Sequence, residues 1–382
     1  MSVFQSHISS AEAIVSGYDG TVPFASHLKQ YFSRHPKFGS RDRRLVSQYC
    51  YGYFRVSNLF PECSFSKIVL NSIFLTENAA HSELPDELNE IIHLSKKEKC
   101  SRLGINPQEN FPLLEELSPE IDKMKFSLSL LHQPSLFIRI RPGKGDVVKR
   151  KLKEAAIGYH DIGVSTLLLK PQVKLQEILD IDREVVVQDL QSQRVFDQAG
   201  FEDLFSEKGE IQVWDCCAGS GGKSILLFDM FPGRVKITAT DIRESILHNY
   251  RKRMKDAGVP LARVIAADLS KDNPLKEGFD LIVADVPCSG SGTWSRTPEQ
   301  WHFFDSASLI QYQTRQRSIV SNATHSLREG GLFVYITCSV FRKENEDNRD
   351  HFRSFGLHLV RESLLAGMDE NSDSMYVAVF RK

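Results

Sequence analysis

Two cysteines, Cys288 and Cys338, are the residues best placed to do chemistry in this 382-residue chain. Each follows an apolar run, Phe279-Asp-Leu-Ile-Val-Ala-Asp-Val-Pro before Cys288 and Leu332-Phe-Val-Tyr-Ile-Thr before Cys338. Such runs read as buried strands. A thiol at a strand end, with the carboxylate of Asp285 three residues away, can serve as a nucleophile or carry a proton. A buried structural cysteine is the ordinary alternative for either one alone. Two of them at the ends of strands that face one crevice are better explained as reactive.

The stretch Val213-Trp-Asp-Cys-Cys217-Ala218-Gly219-Ser220-Gly221-Gly222-Lys223-Ser224 supplies a second ingredient. A strand enters a glycine-rich turn, and a helix opens after it. Glycine permits the tight turn and close approach of a ligand to the backbone. The free N–H groups at the helix start favour a negative group. The end of a Walker A loop is present in Gly222-Lys223-Ser224, but Cys217 occupies the position where that motif requires glycine. A phosphate-cradling NTPase loop is therefore the second reading. Asp241 ends the next strand, about nineteen residues on, where a carboxylate can accept from ribose hydroxyls. Asp268 ends the one after and can accept from an adenine amino group. Either acid alone could be a helix cap. Asp241, Asp268 and Asp285 together point to a cofactor containing adenosine.

The elements that must position these groups alternate in a regular way. Strands are expected at 211–215, 236–241, 263–267, 279–285 and 331–337, each followed by helix or loop. That βαβ pattern implies a parallel sheet with helices on both faces and ligand beyond the carboxyl ends of the strands. Upstream, 131–205 reads as a small α+β domain, with strands at 135–141, 165–170 and 184–188 and a helix at 146–156. It carries Arg139, Arg141, Lys144, Lys149, Arg150, Lys151 and Lys153. These are either a solvated face or a patch that faces RNA. Residues 1–130 read as helical. Their clearest helix is 41–55, capped by Ser40, with Leu45, Tyr49 and Tyr53 on one face beside Val46 and Cys50. Further helices are expected at 66–74 and 88–99.

Bulk properties set the frame. The net charge is −1, which neither announces nor excludes a nucleic-acid binder. The cysteine count of seven is odd and contains no CxxC pair, so neither a disulfide framework nor a structural metal is expected. Reduced thiols in the cytoplasm are the natural reading. The sequence shows no secretion signal and no span of about 18–20 apolar residues, so no membrane segment is expected.

Taken together these motifs resemble the Sun-type RNA cytosine-5 methyltransferase family. The resemblance rests on Asp215–Lys223, on Asp285-Val-Pro-Cys288-Ser-Gly-Ser-Gly292, on Thr337-Cys338-Ser339 with Glu344-Asn-Glu346, on Arg296-Thr-Pro298 to Trp301, and on the helix from Gln313. Val286 stands where the family has Ala. Gly219-Ser220 stands where it has Ala-Pro, which removes proline's fixed φ and leaves a more mobile turn. More faintly, 1–130 resembles the antitermination-factor-like helical domain of the bacterial 16S rRNA branch, through Ser40–Arg55.

The resemblance implies an α/β Rossmann-like methyltransferase core at 206–382, behind a small α+β RNA-recognition-like domain and the helical domain. It implies S-adenosylmethionine as cofactor, bound by Cys217, Ala218, Gly219, Ser220, Gly221, Gly222, Lys223, Asp241, Asp268 and Asp285. It implies Cys338 as the nucleophile toward carbon 6 of a cytosine, with Cys288, Asp285 and Lys223 assisting. The residues alone do not separate Cys338 from Cys288, since DNA cytosine-5 enzymes attack with a Pro-Cys cysteine. RNA is the expected partner, ribosomal before transfer RNA, and a monomer is expected. A noncatalytic RNA-binding protein with this fold is the remaining alternative. The joint presence of Cys288, Cys338, Asp285 and Lys223 argues against it.

Overall fold

The computed structural model describes residues 3–170, 173–197, 199–201 and 209–382. The expected boundary at 205–206 lies outside the described residues. Contacts gather the chain into two units. One comprises residues 1–117, 121–134 and 293–306, and the other comprises 118–120, 135–292 and 307–382.

The first unit is helical. Its helices Val3–Ser16, Phe24–Arg34, Ser40–Val56 and Phe65–Thr76 bury one core that includes Ile8, Phe24, Val46, Tyr49, Cys50, Phe54 and Phe74. The expected helix at 41–55 is present, but Ser40 is its first residue and Gly39 its cap. The Gly39 N–H donates to Asp42 Oδ2 at 3.2 Å, which satisfies one of the orphan donors of the first turn. The buried stripe runs through Val46, Tyr49, Cys50 and Phe54, so Leu45 and Tyr53 sit at its margins. The expected helix at 88–99 is two pieces, Asp86–Glu90 and Lys96–Leu103. Ser95 and Glu98 form a capping box that starts the second piece afresh.

Residues 293–306 also belong to this unit, although in sequence they lie between two strands of the other. The Arg55 guanidinium is fully buried and donates to the carbonyls of Leu130, His132 and Ser295 at 2.6, 2.7 and 2.9 Å. The His302 Nε2 meets the Phe54 carbonyl at 2.6 Å. Trp294 packs on Phe111, and Phe303 packs edge-on to Tyr18. The run from Arg296 to Trp301, read in sequence with the catalytic motifs, is thus part of the helical unit.

The second unit holds two sheets. Strands β1 (Leu136–Ile140), β2 (Tyr159–Asp161), β3 (Thr166–Leu169) and β4 (Val185–Val187) form an antiparallel sheet in the order β2-β3-β1-β4. The alternation of apolar and basic residues over 135–141 predicts a half-exposed strand, but β1 is buried. Phe137 to Ile140 are all buried, because Arg139 and Arg141 turn inward onto Asp229. Arg139 Nη1 lies 2.5 Å and Arg141 Nη2 2.7 Å from the Asp229 carboxylate. Arg141 Nη1 also donates to the carbonyls of Asp182 and Ala257. These two arginines therefore cannot belong to an RNA-facing patch. Lys149 pairs with Asp161 and Lys151 with Glu184, leaving Lys144, Arg150 and Lys153 exposed.

Among the described residues the larger sheet has seven strands. They are β5 (Ile211–Asp215), β6 (Val235–Asp241), β7 (Leu261–Ala266), β8 (Phe279–Asp285), β9 (Leu327–Thr337), β10 (His358–Leu365) and β11 (Met375–Arg381). Their order is β10-β11-β9-β8-β5-β6-β7. Strands β5 to β9 run parallel, and β11 and β10 close the edge antiparallel. The five expected parallel strands are all present, while the β10–β11 hairpin was not among the expectations. Apolar cores cover both faces. One holds Ile225, Leu247, Tyr250 and Met254 against β5, β6 and β8. The other holds Trp214, Ile319, Val320 and Phe352. From β5 the sequence order runs outward in one direction to β7, and from β8 in the other direction to β9. The crevice for a ligand opens at that reversal, beyond the carboxyl ends.

Candidate active site

Strand β5 ends in Asp215, which is fully buried. Burial pushes its carboxyl up to about 7, against the lowering effect of the hydrogen bond from Ser224 Oγ at 2.6 Å. The turn that follows is closed by the Gly221 N–H donating to the Ala218 carbonyl at 2.9 Å. Gly219 and Gly221 have φ of +51° and +89°. A Cβ on Gly221 would lie 2.4 Å from Met254 Cε and 2.8 Å from the Tyr250 ring, so only glycine lets the turn settle on that helix.

Lys223, on the first turn of the helix Gly222–Met230, is buried and donates to Asp285 Oδ2 at 2.6 Å. Burial alone would lower the Lys223 ammonium. The charge and hydrogen bond of Asp285 outweigh it and hold the group above the ordinary lysine value. A fixed ammonium–carboxylate pair thus sits at the head of β8.

Beyond Asp285, Cys288 and Cys338 bring their sulfurs to 3.3 Å. Both are half-buried and free. The hydrogen bond with Cys338, followed by burial, pushes the Cys288 thiol well above the ordinary cysteine value. Glu344 ties the two cysteine loops together. Its carboxylate accepts from the Ser289 N–H at 2.9 Å, Ser289 Oγ at 2.5 Å, Ser339 Oγ at 2.5 Å and Gln316 Nε2 at 2.9 Å. Ser289 adjoins Cys288 and Ser339 adjoins Cys338, so one buried acid sets the spacing of both sulfurs. Asn345 reinforces it, accepting from Thr337 Oγ1 at 2.6 Å and donating to the Ser339 carbonyl at 3.0 Å. The Glu-Asn-Glu run was legible as a motif. Its bracing role was not, nor was the part of Gln316, which also donates to the Pro287 carbonyl.

A crevice of about 310 Å³ lies beside these groups, within the range of small-ligand sites. Of the residues expected to bind cofactor, Cys217, Asp241, Asp268 and Asp285 line it. Ala218 through Lys223 do not; they form the adjoining turn and helix start. Arg243, Arg315, Ile242 and Ile319 line it as well and were not foreseen. Asp241 is buried and accepts from the Gly219 N–H at 3.0 Å and the Arg243 N–H at 2.9 Å. Burial would raise its pKa, but the hydrogen bonds from Arg243 and Gly219 lower it overall, so it stays ionised. Asp268 is held low by the hydrogen bond of Ser270, with Lys271 adding to it. Two ionised acceptors at neighbouring strand ends, with apolar Ile242, Leu269 and Ile319 between, fit an adenosine. Removing the carboxylate in Asp241→Ala should weaken S-adenosylmethionine binding by roughly 1.5–3 kcal/mol. Isothermal titration checks this, and unchanged affinity would rule out the ribose placement.

Fold and crevice define a Rossmann-like, S-adenosylmethionine-dependent methyltransferase domain. Residues 204–355 match the family described as 16S rRNA methyltransferase RsmB/F, and over this stretch the chain is similar to its members. It is 33% identical over 151 residues to "Ribosomal RNA small subunit methyltransferase F" of Enterobacter sp. (strain 638), covering 37% of this chain and 30% of that protein. It is 32% identical over 171 residues to "Ribosomal RNA small subunit methyltransferase B" of Xylella fastidiosa (strain 9a5c), covering 44% of this chain and 39% of that one. The matched stretches thus span about a third of those relatives. The fold is shared with the structure titled PH0851, at TM-score 0.73 and 18% identity over the full length of both chains. It is also shared with NSun6 from Pyrococcus horikoshii with SFG, at TM-score 0.59 and 15% identity, covering 70% of this chain and 96% of that one.

Among the described residues no helix is long and apolar enough to cross a membrane, and no group of three or more His, Cys, Asp or Glu side chains is arranged to hold a metal ion.

Proposed function

We propose that this chain methylates carbon 5 of a cytosine in RNA, ribosomal RNA before transfer RNA, through a covalent bond between Cys338 and carbon 6. The observation that carries the reading is the 3.3 Å pair of sulfurs beside the Lys223–Asp285 ion pair. A methyltransferase acting on an exocyclic amine needs no such pair.

Carbon 5 is a poor nucleophile until carbon 6 is saturated. Cys338 adds to carbon 6 as the thiolate, the nucleophilic form of a cysteine. Asp285 holds the base at N3 and the amino group, so that N3 gains a proton as the carbon–sulfur bond forms. Bound S-adenosylmethionine supplies an electrophilic methyl group. Cys288 has a raised pKa, so once it has yielded its own proton to solvent its thiolate is a strong base. It takes the carbon-5 proton, and the Cys338 sulfur departs with the electrons of the carbon–sulfur bond as N3 gives up the proton it gained. The target base must be unstacked to reach these groups, so accessible RNA is the substrate.

Bisulfite sequencing of ribosomal and transfer RNA from a deletion strain tests the proposal. One cytosine that reads as protected in the parent and converted in the deletion is the expected result. An unchanged map of both RNA classes would refute it.

A further inference from the structure

We propose that Arg253, anchored on Asp182, is a positioning residue for the cofactor turn and does there what proline does in the family's Ala-Pro pair. This rests on the reading above that the turn serves S-adenosylmethionine. The turn at 218–221 has a glycine at its second position and an exposed serine at its third, a combination with little intrinsic stiffness. Its geometry is imposed from outside. Arg253 Nη1 donates to the Ser220 carbonyl and to Ser220 Oγ, both at 2.9 Å. The other edge of the same guanidinium grips Asp182, Nε to Oδ2 at 2.8 Å and Nη2 to Oδ1 at 2.6 Å. A planar fork that is bidentate on a carboxylate has few ways to move, so its remaining donors are aimed.

The anchor is itself constrained. Asp182 is buried, has φ of +66°, donates its N–H to the Val185 carbonyl at 2.7 Å, and accepts from Arg141 at 3.0 Å. The helix Glu244–Ala257 carries Arg253 together with Tyr250 and Met254, the two side chains that back Gly221. Tyr250 also donates to Ser224 Oγ at 2.9 Å, just past the turn. One helix therefore braces residues 220, 221 and 224. The contact to Ser220 is the one that reaches the stretch where the family's proline is missing.

The test is titration of the full chain with S-adenosylmethionine, together with hydrogen exchange at the Gly221 amide. Arg253→Ala should raise Kd roughly tenfold, the worth of one charge-assisted hydrogen bond, and should speed exchange of that amide. Among the described residues the Ser220 N–H makes no backbone hydrogen bond, so proline costs none there. Adding Ser220→Pro to Arg253→Ala should restore most of the affinity and slow the exchange again. It should not restore the melting temperature, because Asp182 stays unpaired. Unchanged affinity in Arg253→Ala overturns the inference. So does a weakened affinity that Ser220→Pro leaves weakened, which would make Arg253 a strut of the fold alone. Failure of the unaltered protein to bind S-adenosylmethionine would instead strike at the functional reading on which this inference rests.

Discussion

Cys338→Ala should abolish methylation and leave no covalent adduct, even on RNA carrying 5-fluorocytosine at the target. The loss should be on the order of 10⁴–10⁶ in rate, the scale seen when a covalent nucleophile is deleted. Cys288→Ala should do the opposite on a denaturing gel. Addition through Cys338 still proceeds, release is slow, and a protein–RNA conjugate accumulates on unmodified RNA. The contact between the sulfurs sharpens the contrast, because each variant removes the hydrogen-bond partner of the other thiol. Without Cys338 one cause of the raised Cys288 thiol is removed while burial still acts on it, and carbon 6 meets no nucleophile. A shifted band that survives Cys338→Ala and vanishes in Cys288→Ala would reverse the assignment in favour of the Pro-Cys cysteine. Glu344 is left intact in both variants, so the loops keep their brace.

The second large effect is on stability. Asp229→Ala should destabilise the protein by about 3–5 kcal/mol, because it strands two guanidiniums inside the second unit. Arg139 and Arg141 are nearly as buried as Asp229, with side-chain exposures of 5, 10 and 5%. Among the described residues Arg139 Nη2 already has no hydrogen-bond partner. Burial pulls the Arg139 guanidinium below its ordinary value, and Asp229 only partly restores it. Urea unfolding measures the effect. Replacing all three residues together, Arg139→Met, Arg141→Met and Asp229→Leu, should cost much less, because no charge is left uncompensated. A loss under about 1 kcal/mol in Asp229→Ala would show that the cluster is solvated. Neutralising Arg139 and Arg141 to probe RNA binding would mostly report this destabilisation. Lys144, Arg150 and Lys153 are the better choice for that purpose.

Arg139 and Arg141 also mark where local reading stops. The alternation Leu136-Phe-Ile-Arg-Ile-Arg141 is the pattern of a half-exposed strand, and nothing within the strand reveals that its basic side meets Asp229, some ninety positions on. Register to a distant acid is tertiary information. The parallel strands were legible for the converse reason. Each is an apolar run too short for a helix, ended by an acid or a glycine turn, and Ile211–Asp215 and Phe279–Asp285 fall where the pattern puts them. Strand β10 escaped because it is an edge strand whose residues alternate irregularly between exposed and half-buried. Its partner Met375–Arg381 is a plain apolar run and was readable, as was the Ser95–Glu98 capping box that divides the helix expected at 88–99. In the site, residue types identified Cys288, Cys338, Asp285 and Lys223 as a group. They could not show that Gln316 and Glu344 hold the loops, because a buried acid satisfied by four donors looks in sequence like any surface glutamate.

The placement of residues 293–306 bears on how the chain is made. A ribosome releases the chain from its N-terminus, so the first 134 residues emerge with part of their unit still unsynthesised. Arg55 waits for the Ser295 carbonyl, Phe111 for Trp294, and Tyr18 for Phe303. Strands β1 to β8 are all translated in the interval, so synthesis of the helical unit is completed only after those strands have emerged, and before β9, β10 and β11 have. Vectorial folding, one unit finished before the next begins, is unavailable to this chain. A nascent chain that ends between residues 134 and 293 has Arg55 short of one of its three carbonyl acceptors and Phe111 without the indole of Trp294.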